Sequence, residues 1–175
     1  MEKKELRKKY KAIRRKIPNK DKKSEIILNT LKTLPCWLES NIVAVYRSLP
    51  DEVDTAKIIS LAFSLGKRVC LPKTQKDKME FFEITPNTAF VKSALNIDEP
   101  LSEKTIEKNK IDLIIIPLIT ADKENNRLGF GGGYYDRYLK DFGGTKLGIC
   151  FKEQISREPL PIEEHDIKLD IIITD

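Results

Sequence analysis

Asp112-Leu113-Ile114-Ile115-Ile116, closed by Pro117, is the stretch that decides the fold of this 175-residue chain. It is β-branched and unbroken in its apolarity after the first residue, the pattern of a central parallel strand covered on both faces. Working outward, Ile42–Tyr46, Arg68–Leu71, Glu80–Ile84, Lys146–Phe151 and Asp170–Thr174 read as further short strands. Asp54 or Thr55 is placed to cap a helix over 56–65 that Gly66 ends. Alternating strands and helices predict an α/β protein, a three-layer α/β/α sandwich with a mostly parallel sheet and an N-terminal helical segment. In such sheets ligands gather beyond the carboxyl ends of the strands. Residues 86–110 are weakly patterned and read as a long excursion.

Toward the N-terminus, Leu6, Tyr10, Ile13 and Ile17 recur at spacings of four, three and four, which predicts an amphipathic helix over Glu2–Ile17. Pro18 breaks it, and a second helix is expected over Asp21–Leu34 before Pro35. These two helices, within residues 1–35, are expected to pack on a body spanning 40–175 as one domain. Residues 1–23 hold 12 Lys/Arg and three acids, a local net charge of +9, whereas the other 152 residues net −4 within a total of +5. The basic character is therefore a property of one segment laid on a mildly acidic body.

Composition removes several classes of chemistry. His165 is the sole histidine, so a multi-histidine metal centre is excluded and a Ser–His or Cys–His pair would have to use it. Cys36, Cys70 and Cys150 are odd in number, widely spaced and set among apolar neighbours, which suits reduced core thiols. No apolar run has the roughly 20 residues that a membrane span needs, and the N-terminus lacks the apolar stretch of a signal peptide. A cytoplasmic monomer without membrane or nucleic-acid partners is the expectation.

Seven of the eight glycines lie between 129 and 148, and four of them fall in Gly129-Phe130-Gly131-Gly132-Gly133, followed by Tyr134-Tyr135-Asp136-Arg137-Tyr138-Leu139. Glycine admits positive φ and lets backbone N–H groups approach an anion. A helix over about 134–140 would place the loop at an N-terminus, with Arg127 and Arg137 as fixed positive charge on either side. Phosphate is the ligand class this pattern favours over a plain surface turn. No Gly-Lys-Ser/Thr follows, so the loop is not a Walker A sequence, and it lies too late in the chain for the dinucleotide fingerprint.

The run Pro117-Leu118-Ile119-Thr120-Ala121-Asp122, then Asn126-Arg127-Leu128 through the glycines to Leu139, resembles the signature of the 5-formyltetrahydrofolate cyclo-ligases, also called methenyltetrahydrofolate synthetases. Lys3-Lys4-Glu5-Leu6-Arg7, the segment Val45–Thr55, Phe151-Lys152-Glu153-Gln154, Leu160-Pro161 and His165-Asp166 are similar in order and spacing. The resemblance implies ATP- and Mg2+-dependent closure of 5-formyltetrahydrofolate, polyglutamylated or not, to 5,10-methenyltetrahydrofolate, with release of ADP and phosphate.

It also implies roles. ATP would be held by Lys3, Lys4, Arg7 and the segment Arg127, Leu128, Gly129, Phe130, Gly131, Gly132, Gly133, Tyr134 and Tyr135. The folate would lie against Arg47, Glu52, Phe130, Gly131, Gly132, Gly133 and Tyr134. Asp136 and Asp166 are the expected magnesium ligands, two carboxylates that phosphate oxygens and water would complete. Arg127, Asp136 and Arg137 are the expected catalytic groups; the bland alternatives are a surface arginine for Arg137 and a first-turn carboxylate for Asp136. Relatives can carry lysine where Gly132 stands, so here Arg127 and the N-terminal bases would supply that cation. Two other classes fit parts of the pattern: a nucleic-acid binder using the basic segment, and a sugar-phosphate isomerase or transferase using the loop without ATP. No RNA-binding motif and no evident acid–base pair accompany them.

Overall fold

The computed structural model describes residues 1–76, 78–93 and 98–175. In chain order the helices are α1 (Lys3–Lys16), α2 (Lys20–Leu31), α3 (Pro35–Leu38), α4 (Thr55–Ser64) and α5 (Tyr134–Leu139). The strands are β1 (Ile42–Ala44), β2 (Arg68–Gln75), β3 (Lys78–Ile84), β4 (Phe90–Lys92), β5 (Asp98–Pro100), β6 (Leu113–Ile116), β7 (Thr120–Ala121), β8 (Arg127–Leu128), β9 (Thr145–Ile149) and β10 (Ile171–Ile173). Six of them form one sheet in the order β10-β9-β6-β1-β2-β3. Every pairing in it is parallel except β2 with β3.

The DLIII stretch is β6, flanked by β1 and β9, with Leu113, Ile114, Ile115 and Ile116 all at 0% exposure. Burying each such side chain is worth about 1.5–3 kcal/mol. Alternate residues feed two cores. Leu113 and Ile115 join Val43, Val69 and Leu147 under α2, α3 and α4. Ile114 and Ile116 join Ala44, Cys70 and Phe81 under α5. The sheet thus has helices on both faces, as the sequence predicts. Numbering only its six strands, the spatial order is that of a doubly wound fold, and the order reverses between β1 and β6. The crevice beyond the carboxyl ends of these two strands is where such folds bind ligands.

Several elements differ in extent from the sequence reading. β2 continues past Pro72 to Gln75 because β1 is only three residues long. Beyond Cys70 β2 is paired on the β3 side alone, so the missing N–H of Pro72 breaks no ladder. The second helix stops at Leu31 instead of Leu34, and Pro35 opens the one-turn α3. α4 starts as expected, with Ala56 N donating to Asp54 Oδ1 at 2.9 Å. Within the 86–110 excursion, β4 pairs with β5 and a 3-10 turn spans Lys108–Lys110, while 94–97 lie outside the described residues.

α1 lies over the carboxyl-end side of the sheet. Leu6 and Tyr10 pack with Ile119, Leu128 and Leu160 in a separate core cluster, and Ile17 reaches the main core. The basic segment is therefore a docked helix. Among the described residues no helix is long and apolar enough to cross a membrane, and the three cysteines are unpaired, Cys70 and Cys150 buried and Cys36 half-buried.

Candidate active site

A cleft of about 1220 Å³ opens beyond β1 and β6, walled by α1, the segment after β1, the glycine loop, the end of β2 and residues 161–166. Its floor is set by the β7–β8 hairpin. Asp122 holds that turn, accepting from the N–H groups of Glu124, Asn126 and Leu160 and from Asn126 Nδ2, each at 3.0 Å. Burial opposes its ionisation, yet these donors hold Asp122 below the usual carboxylate range. Gln154 clamps the same region, donating through Nε2 to the carbonyl of Ile119 at 2.9 Å. These bonds deliver Arg127 to the cleft wall.

Arg127 is 9% exposed, and its Nη2 donates to Asp136 Oδ1 at 2.8 Å. Its Nε is buried without a hydrogen-bond partner among the described residues, as is the hydroxyl of Tyr135 beside it. Burial pulls the Arg127 guanidinium below its ordinary pKa and Asp136 pushes back; burial likewise pushes the Tyr135 phenol well up.

The glycine loop continues that wall. Among the described residues, none of the N–H groups of residues 130–133 donates a hydrogen bond to the protein. Gly131 sits at φ +109°, where a Cβ would meet the Arg7 guanidinium at 3.3 Å; Arg7 Nε also donates to the Gly129 carbonyl at 2.9 Å. At Gly132 a Cβ would meet the Tyr134 ring at 2.7 Å, so a lysine cannot occupy this position without moving Tyr134. Positive charge comes instead from α1: Lys3, Lys4, Arg7 and Lys11 all line the cleft. Lys11 lies 5.4 Å from the Phe130 ring centroid. Sequence reasoning missed Lys11, although Lys4, Arg7, Lys11 and Arg14 repeat at three, four and three, the spacing of one helix face.

Asp136 and Asp166 both line the cleft and both act on Arg127. Asp136 uses Oδ1 for Arg127 and for the N–H of Ile167 at 3.1 Å, leaving Oδ2 without a partner among the described residues. Asp166 uses Oδ2 for Lys3 Nζ at 2.6 Å and the N–H of Glu163 at 2.7 Å. Against the effect of burial, these contacts hold Asp166 below the usual carboxylate range. No group of three or more His, Cys, Asp or Glu among the described residues is arranged to hold a metal alone. One hard oxygen left on each of two carboxylates fits Mg2+, which takes its remaining ligands from phosphate and water.

Glu52 also lines the cleft and is 8% exposed, so it is a buried carboxylate and not a water-exposed loop residue. Burial raises its pKa against a hydrogen bond from Leu49 N and the charge of Arg14. Arg47 lies at the mouth, 4.6 Å from the Phe90 ring centroid and 3.7 Å from Asp98 Oδ2. Tyr134 lines the cleft and donates from its hydroxyl to the Lys76 carbonyl at 2.9 Å. The structure thus gathers every expected site residue into one cleft except Arg137. That side chain is exposed, donates to the Gly132 carbonyl at 3.0 Å and covers the Tyr134 ring. His165 is an exposed loop residue paired with Glu163.

The sequence and the fold recur in known proteins. The mouse 5-formyltetrahydrofolate cyclo-ligase is 32% identical over 152 residues, 78% of this chain and 74% of the mouse protein. The solution structure of Aquifex aeolicus 5,10-methenyltetrahydrofolate synthetase superposes with a TM-score of 0.85 at 32% identity, covering 98% of this chain and 89% of that one. The Mycoplasma pneumoniae 5,10-methenyltetrahydrofolate synthetase does so with a TM-score of 0.81 at 28% identity, covering 100% and 99%. The sequence model of the family matches residues 1–175 from end to end, and the chain belongs to the 5-formyltetrahydrofolate cyclo-ligase family.

Proposed function

We propose that this cleft closes the ring of 5-formyltetrahydrofolate to 5,10-methenyltetrahydrofolate with consumption of ATP. A formamide oxygen is a poor leaving group. Transfer of the γ-phosphoryl group to that oxygen releases ADP; the side-arm nitrogen then attacks the formyl carbon, and the C–O bond breaks with loss of phosphate and the amine proton. Phosphoryl transfer depends on alignment and charge neutralisation more than on a covalent nucleophile, which suits a chain with one exposed histidine.

The observation that carries this reading is Arg127: a buried guanidinium, fixed by Asp136, that lines the cleft beside the glycine loop. In this reading it meets the charge that builds on the transferring phosphoryl group. Lys3, Lys4 and Arg7 with the segment 127–135 receive the ATP phosphates. Mg2+, when held by Asp136 and Asp166, neutralises phosphate charge. Glu52 accepts from the pterin amine and ring N–H, Arg47 meets the folate at the mouth, and Tyr134 offers its face to a ring. Arg137 acts through the loop it braces at Gly132. The whole chain works as one unit and as a monomer.

Incubation with 5-formyltetrahydrofolate and MgATP should produce the methenyl absorbance with one ADP formed per ring closed. Absence of the chromophore together with no folate-dependent ATP consumption would falsify the proposal.

A further inference from the structure

Arg14 sits on α1 among the exposed lysines of the basic segment, yet it is 3% exposed and points inward. Its Nε and Nη2 donate as a fork to Asp51 Oδ2 and Oδ1, each at 3.1 Å. Its Nη1 donates to Glu52 Oε1 at 3.0 Å, while Leu49 N donates to Oε2 at 2.8 Å. The guanidinium carbon lies over the ring of Phe130 in the glycine loop, 5.5 Å from its centroid. One side chain of α1 thus lies against both the Glu52 carboxylate and the glycine loop.

We propose that Arg14 is the positioning residue for Glu52: it holds this buried carboxylate in place and aimed into the cleft to accept the folate's ring donors. The inference rests on the reading of Glu52 as a folate contact. A carboxylate this buried, left alone, either takes up a proton or turns toward water. With one bond from Arg14 and one from Leu49 N, each oxygen still has a lone pair for a ligand, so the group is oriented without being saturated. The Asp51 fork fixes the guanidinium plane, which in turn fixes Nη1 on Glu52. A lysine keeps the charge but lacks the fork, and cannot hold both carboxylates in this geometry.

The test is direct binding to the full chain. Titrate the parent, Arg14→Lys, Arg14→Met, Glu52→Gln and the double Arg14→Lys/Glu52→Gln with 5-formyltetrahydrofolate and, separately, with a non-hydrolysable MgATP analogue, alongside thermal melts. Losing the aim of a charged acceptor should raise the folate Kd of Arg14→Lys by roughly tenfold or more, with the nucleotide Kd within about twofold. The double variant should bind folate no more weakly than Glu52→Gln alone, because the two residues act through one contact. Arg14→Met carries the larger risk of misfolding, since it strands two carboxylates; Arg14→Lys decides the question if that happens. A lower melting temperature with an unchanged folate Kd in Arg14→Lys would reduce Arg14 to a tie between α1 and the loop, and additive losses in the double variant would overturn the proposal equally. If the parent itself does not bind 5-formyltetrahydrofolate, the failure lies in the functional reading and the inference goes with it.

Discussion

Replacing Arg127 by methionine removes a positive charge from the cleft wall while keeping most of the side-chain volume. A phosphoryl oxygen about 4 Å from a cation gains about 4 kcal/mol at an effective dielectric near 20, a fair value for a buried group in a cleft that admits water. At about 1.36 kcal/mol per decade that is ~10³ in kcat/KM for ATP. Because ATP is already anionic before transfer, the loss should divide between a higher KM and a lower kcat. A second cost falls on stability. Asp136 loses its 2.8 Å partner but keeps the N–H of Ile167, and its side chain is only partly buried. A penalty of about 2–3 kcal/mol, or roughly 5–10 °C in melting temperature, follows, so the variant stays folded at 25 °C. Initial rates of methenyl formation over a range of ATP concentrations, with a melt on the same sample, measure both. A folded variant with kcat/KM for ATP within about tenfold of the parent would refute the electrostatic role assigned to Arg127.

Asp136→Asn keeps Oδ1 for Arg127 and Ile167 but takes the negative charge from the free oxygen, so turnover should demand more Mg2+; a titration of rate against Mg2+ identical to the parent's would remove Asp136 from the metal site. Arg7→Ala should raise the ATP KM by about tenfold, as expected for a lost charge-assisted contact, while leaving the folate KM near the parent value; equal effects on both substrates would return Arg7 to packing. Asp122→Asn should destabilise by about 1–3 kcal/mol at pH 7, seen in denaturant melts. The sign of its pH dependence follows from a folded pKa held below the unfolded value: the carboxylate stabilises above about pH 4 and the benefit disappears as pH falls through the folded pKa, so the gap between parent and variant should close in acid. A gap that persists unchanged to acid pH would show that the ionised form of Asp122 is not what holds the β7–β8 turn.

The elements that the sequence placed well are those with one dominant physical cause. A strand such as Leu113–Ile116 has no alternative to full burial, and Asp54 caps α4 because its side chain competes locally for the first free amides. The extents it misjudged depend on neighbours. Pro72 ends a strand only where both edges are paired, and β1 proved too short to pair there. The β7–β8 hairpin, two residues a side, has no periodicity to detect; Asp122 and its four donors make it.

The composition of the site was legible in the same sense. Glycine density, the tyrosine pair and the basic helix are local in sequence, and a resemblance that spans the chain lined them up in order. By itself the sequence therefore determined the class of fold, the glycine loop that walls the cleft and the sign of the charge brought to it, because these follow from side-chain chemistry and spacing. Which charges face the cleft was decided only by tertiary structure. Arg14 and Arg15 are adjacent and identical in chemistry, yet one is buried against Asp51 and Glu52 and the other is exposed. Arg127 and Arg137 flank one loop, yet one lies buried on Asp136 and the other braces Gly132 from outside. The reason is that direction around a helix, and distance across a turn, acquire meaning for a side chain only when the partner on the opposite element is in place.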